Sequence, residues 1–138
     1  MQIKIASVLV DNQEKALAFY TKILGFTKKW DLPIGGDARF LTVVSPEDPD
    51  GTELLLEPND NPALNGSAQA YQRSLFDAGI PATAFVARDI SREYERMKGL
   101  GVVFTTPPTK LGMVTLAVFD DTCGNLIQIF QPMQPGSV

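Results

Sequence analysis

Apolar positions along the 138-residue chain switch between a period of two and a period near 3.6, and the switches mark out the elements. Residues 3–10 are dense in β-branched and aliphatic side chains and read as a strand. Asp11 with Glu14 three residues on is a variant capping box that starts a helix. Ala16, Phe19, Tyr20, Ile23 and Leu24 then recur at i, i+3, i+4, i+7 and i+8, one apolar stripe, and Gly25 closes the helix as an αL cap. Residues 26–32, 39–44 and 52–57 return to strand composition. They are separated by Pro33-Ile34-Gly35-Gly36 and by the turn-rich residues 46–51. The order is β-α-β-β-β.

The same order then recurs. Residues 82–87 read as a strand, and Asp89 caps a helix carrying Ile90, Tyr94 and Met97 on one face. Leu100-Gly101 ends that helix as Leu24-Gly25 ended the first, and residues 102–105, 113–119 and 125–130 supply three more strands. Val10 to Gly25 spans 15 residues and Ala87 to Gly101 spans 14. This pattern predicts an α+β protein of two βαβββ modules from an internal duplication. The modules are residues 1–58 and 81–132, with a connecting segment over 59–80 and a tail over 133–138. Ala68, Tyr71, Leu75 and Ala78 mark a further helix in the connection. Each module leaves a four-stranded sheet with a helix on one face and the other face open. Two such mixed sheets are expected to curl around a trough-like cavity suited to a small ligand.

Composition narrows the chemistry. Net charge is −4 and the basic residues are scattered, with Lys28-Lys29 the one local pair, so no stripe is present to displace phosphate counterions and no nucleic-acid partner is expected. No apolar run approaches the roughly 20 residues of a membrane span, and the opening residues read as a strand, not a leader, which points to a cytoplasmic protein without a membrane partner. Cys123 is the single cysteine, so no internal disulfide forms. It reads as a turn residue that nothing nearby activates. The chain has no histidine, which excludes Ser-His-Asp and Cys-His catalysis and every imidazole metal site.

Val10-Asp11, Ala16, Phe19-Tyr20 and Leu24-Gly25-Phe26 carry a resemblance in the first half. In the second half it is carried by Ala84-Phe85, Asp89-Ile90, Leu100-Gly101-Val102 and the closing stretch from Phe119 through Asp120-Asp121-Thr122-Cys123-Gly124-Asn125 to Gln128. In their order and duplication these residues resemble the vicinal oxygen chelate superfamily, of the glyoxalase I, bleomycin-resistance and extradiol dioxygenase type. The resemblance implies four metal-ligand positions, on the first and last strands of each module. They fall on Ile5, near Leu55, on Ala82 and on Gln128, three apolar residues and one amide. A divalent metal draws its affinity from carboxylates or imidazoles, so neither a metal nor another cofactor is expected there.

Six residues are candidates for a ligand site. Gln128 offers an amide that both donates and accepts, or is a strand residue bonded to its neighbours. Glu57 offers a carboxylate for a cationic ligand or a general base, or is a solvated strand end before Pro58. Arg39, on the strand face of Leu41 and Val43, can clamp an anion or make a surface ion pair. Trp30 is placed to stack on a flat or cationic ligand, or to cover the core or a dimer seam. Ser7 adds a hydroxyl, and Tyr71 either reaches a pocket or packs. The leading expectation is a metal-independent binder of a small molecule that forms a homodimer. The alternatives are a lyase, isomerase or dioxygenase of the family with an oxygen-only metal site, and a non-catalytic interaction module.

Overall fold

The computed structural model describes residues 1–133, so the tail expected at 133–138 lies, from residue 134 on, outside the described residues. The chain divides into two compact units. One is Met1–Arg73 with Thr122–Gly124, and the other is Ser74–Asp121 with the residues from Asn125 on. Each holds one four-stranded mixed sheet, and three α-helices accompany the two sheets among the described residues.

In the first unit β1 (Ile5–Val10) leads into α1 (Gln13–Ala18), then β2 (Thr27–Gly35), β3 (Ala38–Val44) and β4 (Glu53–Pro58). The sheet order is β1-β4-β3-β2, with β1 and β4 parallel and the other pairs antiparallel. Helix α1 lies against β3 and β4. Val8, Val10, Leu41, Val43, Leu54 and Leu56 alternate onto one face of the sheet and are buried, with Ala16, Phe19 and Tyr20 of the helical segment also buried. The cap is one residue later than the sequence suggests. Asn12 accepts from Lys15 N, while Asp11 forms an ion pair with Lys15 at 2.9 Å. The shorter loop satisfies an orphan N–H with an amide oxygen and leaves the aspartate for its i+4 lysine.

The last turn of this helical segment, Phe19–Ile23, is a π-helix. Gly25 follows at φ +85, and Phe26 N closes the end on Tyr20 O. In the second unit the equivalent closure runs from Val102 N to Met97 O past Gly101 at φ +90, one residue shorter. A π turn holds one residue more than an α turn. The extra residue in the first module's 15-residue spacing is therefore absorbed inside its helix.

The second unit carries β5 (Thr83–Val86), α3 (Ile90–Gly99), β6 (Phe104–Leu111), β7 (Val114–Asp120) and β8 (Leu126–Pro132), in the order β5-β8-β7-β6. Only the β5–β8 pair is parallel. Asp89 caps α3 by accepting from Arg92 N, as the sequence implies. The core joins Ile90 and Met97 of α3 to Ala117, Phe119, Ile127 and Ile129. Tyr94, Phe104 and Phe119 meet edge to face, with ring centroids 4.7 and 5.6 Å apart. Strand β6 runs on through Pro107-Pro108 and β2 through Pro33, both beyond the strands read from sequence. Both are edge strands, where a missing N–H leaves the ladder intact.

Helix α2 (Ser67–Asp77) spans the division between the units. Its buried stripe is Ala68 and Gln72, not Ala68 and Tyr71. Gln72 donates through Nε2 to Leu9 O and Cys123 O and accepts from Asn59 Nδ2, all within the first unit.

Candidate functional site

The first sheet presents two chemically different faces. Opposite the helix, alternation brings together Ile5, Ser7 and Leu9 of β1, Leu55 and Glu57 of β4, Phe40 and Thr42 of β3, and Trp30 and Leu32 of β2. Ser7 pairs with Leu55, Leu55 with Thr42 and Thr42 with Trp30, so these four form one row across the sheet. Ile5 remains 45% exposed and Trp30 46% on the two edge strands, while Thr42 between them is fully buried, so this apolar face is open at its edges.

A buried polar cluster lies within that face. Glu53 is only 5% exposed and Thr42 is fully buried. Thr42 Oγ1 donates to Glu53 Oε1 at 2.9 Å and accepts from Trp30 N at 3.2 Å. Lys29 Nζ lies 3.7 Å from Glu53 Oε2. The register of β2 shifts between Lys28 and Trp30, so Lys29 is an extra residue, a β-bulge. The bulge frees Lys29 to reach the buried carboxylate while Trp30 stays in the row.

Of the six candidates, Ser7, Glu57 and Trp30 share this open face. The Ser7 hydroxyl and Glu57 carboxylate are exposed and have no side-chain partner among the described residues. Tyr71 lies on the solvent side of α2, 62% exposed, because Ala68 and Gln72 take the inward stripe. Gln128 belongs to the second unit, half-buried on the sheet face away from α3, with Ala84 and Val118 as its register neighbours. The structure does not bring Arg39 to the open face. It sits on the helix side, where Nε and Nη2 donate to both oxygens of Asp31 at 2.9 and 2.8 Å and Nη1 donates to Glu14 Oε2 at 2.7 Å. The guanidinium beside Asp31 holds that carboxyl below its ordinary range, and the same contact raises the pKa of Arg39. Its neighbours Leu41 and Val43 are core residues beneath α1, and the shared alternation takes Arg39 there with them.

Sequence reasoning missed Gln13, a buried amide on α1. Its Nε2 donates to Arg39 O at 2.7 Å and Leu56 O at 2.8 Å, and its Oε1 accepts from Arg39 N at 3.0 Å. The β3–β4 ladder pairs only Thr42–Leu55 and Val43–Leu54, so beyond them the strands splay and Gln13 joins them from the helix side. The available signal was a polar residue three before Ala16, on the helix's own apolar stripe. A separate cleft of about 490 Å³ opens in the second unit beside the start of α3, between Ile90, Ser91, Pro108, Lys110, Thr115 and Gln131. Gln131 there already accepts from Ile90 N, and the cleft lies on the helix side of its sheet, away from Gln128.

The residues at the implied metal-ligand positions do not fit a metal. Ile5 and Leu55 supply no donor, Ala82 none beyond its backbone, and Gln128 a neutral amide. Among the described residues no three acidic or thiol side chains gather closely enough to hold an ion. No helix among them is long and apolar enough to cross a membrane.

Residues 2–129 match the Glyoxalase/Bleomycin resistance protein/Dioxygenase superfamily. The chain is 58% identical over 131 residues to the uncharacterized protein YurT of Bacillus subtilis, covering 95% of this chain and 99% of YurT. Among solved structures, UcmS2 is 30% identical with a TM-score of 0.80, covering 94% of this chain and 97% of its own. TnmS3, an antibiotic binding protein from Streptomyces sp. CB03234, is 26% identical with a TM-score of 0.74 and 96% of each chain covered. Two helix-backed mixed sheets, the duplicated order and a match across nearly the whole length agree, and the chain belongs to the Glyoxalase/Bleomycin resistance protein/Dioxygenase superfamily.

Proposed function

We propose that this protein binds a small organic molecule without a metal, on the open sheet face of the first unit that carries Ser7, Glu57 and Trp30; Gln128, on the second unit's own sheet, is a candidate contact for a ligand of that unit. The observation that carries the reading is the unengaged state of these side chains beside exposed apolar surface, where the implied metal positions hold Ile5 and Leu55. Such a surface has the composition of a ligand pocket: mostly apolar, with a few polar groups that fix orientation. The likeness to TnmS3 supports it, since that protein binds an antibiotic. A general-base reaction through Glu57 with Arg39 as anion clamp loses support, because Arg39 is committed to Asp31 and Glu14 on the other face.

A homodimer completes this reading. Trp30, Leu32 and Ile34 are all exposed along the edge strand β2, an apolar edge that a monomer leaves open to pairing. A second copy covering that edge turns an open face into a walled pocket. The proposed setting is the cytoplasm, with neither nucleic acid nor membrane as partner. The test starts with elemental analysis of protein purified without chelator or metal-affinity tag. Less than about a tenth of an equivalent of divalent metal is expected, with no thermal shift from nickel, zinc, manganese or iron. A thermal-shift screen of aromatic natural products is then expected to give saturable stabilisation. A stoichiometric metal, or no stabilisation by any compound, overturns the reading.

A further inference from the structure

We propose that the cleft beside the start of α3 in the second unit binds a small organic carboxylate, with Lys110 pairing the carboxylate and the Ser91 and Thr115 hydroxyls donating to it. This cleft lies on the helix side of the second sheet and stands apart from the face proposed above. The duplicated modules fill the same place differently. Gln13 and Glu14 open α1 after the Asn12 cap, and Ile90 and Ser91 open α3 after the Asp89 cap. Arg39 is the second residue of β3 and Thr115 the second of β7, and their register partners are Pro33 and Lys110. Two residues before those partners stand Asp31 and Pro108.

In the first module the Arg39 guanidinium occupies this place, held by both oxygens of Asp31 and by Glu14. In the second, Thr115, Pro108 and Ser91 replace the cation and its two carboxylates, and a cleft of about 490 Å³ stands there, within the size range of small-ligand sites. Lys110 is the charged residue of its lining and joins no ion pair among the described residues, and the Ser91 and Thr115 hydroxyls make no hydrogen bond among them. The charge is inverted. One module holds a cation between two carboxylates, and the other holds an ammonium with none. An ammonium or guanidinium ligand meets only Lys110 here, whereas a carboxylate meets a cation and two hydroxyl donors. The helix end adds little, because Ile90 N already donates to Gln131 Oε1 at 2.8 Å and Arg92 N to Asp89. Ile90, Pro108, Pro132 and Met133 give the cleft apolar walls. One ammonium matches the single charge of a carboxylate better than a phosphate monoester of about −1.5 to −2.

The experiment is an amide NMR titration of the full chain with hexanoate, hexanamide, acetate and inorganic phosphate. Hexanoate is expected to shift the Ser91, Thr115 and Gln131 amides saturably. It should bind about fivefold more tightly than hexanamide, the value of an exposed ion pair at the upper end of its usual range, and more tightly than acetate or phosphate. Raised salt should narrow the gap between hexanoate and hexanamide. Lys110→Gln is expected to erase that gap. Ser91→Glu, which places a carboxylate where the first module has Glu14, is expected to abolish hexanoate binding. Both positions are exposed, so each variant should keep the folded amide spectrum. Equal binding of hexanoate and hexanamide, a gap that survives in Lys110→Gln, or phosphate binding as tightly as hexanoate overturns the inference. So does the absence of saturable shifts at the cleft with every probe.

Discussion

Replacing Gln13 with leucine tests whether a side-chain amide, and not the strand ladder, joins β3 to β4 at the Arg39 end. The substitution keeps the side chain's volume and apolar stem but removes three hydrogen bonds, those to Arg39 O, Leu56 O and from Arg39 N. The bond to Leu56 O is buried and the two at Arg39 are part-buried. A hydrogen bond contributes about 1 kcal/mol net, and a buried group stripped of its partner costs about 1–3 kcal/mol. Counting the buried bond near 2 kcal/mol and the two half-solvated ones near 0.5 kcal/mol each gives about 3 kcal/mol. At this chain length that lowers Tm by about 10 °C.

The assay is urea unfolding followed by circular dichroism, with the slope compared between variants to confirm that the same surface is exposed. Gln13→Glu separates hydrogen bonding from packing. Its carboxylate sets an acceptor against two carbonyl oxygens, so the folded state raises the carboxyl pKa and binds a proton more readily than the unfolded chain. Stability of Gln13→Glu should therefore rise as pH falls from 8 to 5, opposite to the usual carboxylate. A Gln13→Leu protein within about 0.5 kcal/mol of the parent at equal slope would show that water or the ladder satisfies these groups, and would refute the reasoning.

Three shorter predictions follow from other polar contacts. Asp31 has its pKa depressed by Arg39, so the pair stabilises the fold above the ordinary carboxylate range and loses that contribution as pH falls through the lowered value. Arg39→Ala should cost about 1 kcal/mol at pH 7 and flatten the acid limb below about pH 4, and an unchanged acid limb would argue against the pair. Thr42→Val removes the hydroxyl between Trp30 N and Glu53 Oε1 at nearly constant shape. A loss of about 2 kcal/mol is expected, with tryptophan emission shifted to the red and its anisotropy lowered; unchanged emission contradicts a positioning role. Gln72→Leu removes the bonds to Leu9 O, Cys123 O and Asn59 and should cost about 3 kcal/mol in urea unfolding, whereas a loss below 1 kcal/mol would show the cluster to be incidental.

The fold was legible because local signals and global order agreed. The apolar stripe from Ala16 to Leu24, the Asp89 cap and the Gly25 and Gly101 closures each specify one element, and their repetition specifies the duplication. The errors sit where one local rule competes with another. Asp11 and Asn12 are both good caps, and only loop length chooses between them. Pro33 and Pro107-Pro108 argue against strands unless the strand is known to be an edge, which is a fact of sheet order.

Which face of a strand lies beneath the helix was less legible, and β3 shows why. Alternation does separate Arg39, Leu41 and Val43 from Phe40, Thr42 and Val44. Yet both sets hold apolar residues, and Leu41 to Val44 are all buried, so hydrophobicity does not say which set lies beneath the helix. That choice is made by α1. Its first turn brings Gln13 to the backbone of Arg39 and Glu14 to its guanidinium, which fixes Leu41 and Val43 as core and turns Thr42 toward Glu53 and Trp30. Nothing in the local pattern of β3 encodes contacts made 25 and 26 residues away in sequence. The same step that removes Arg39 from the open face leaves Glu57 there without a side-chain partner among the described residues, so the charge left on that face is a consequence of where the helix starts.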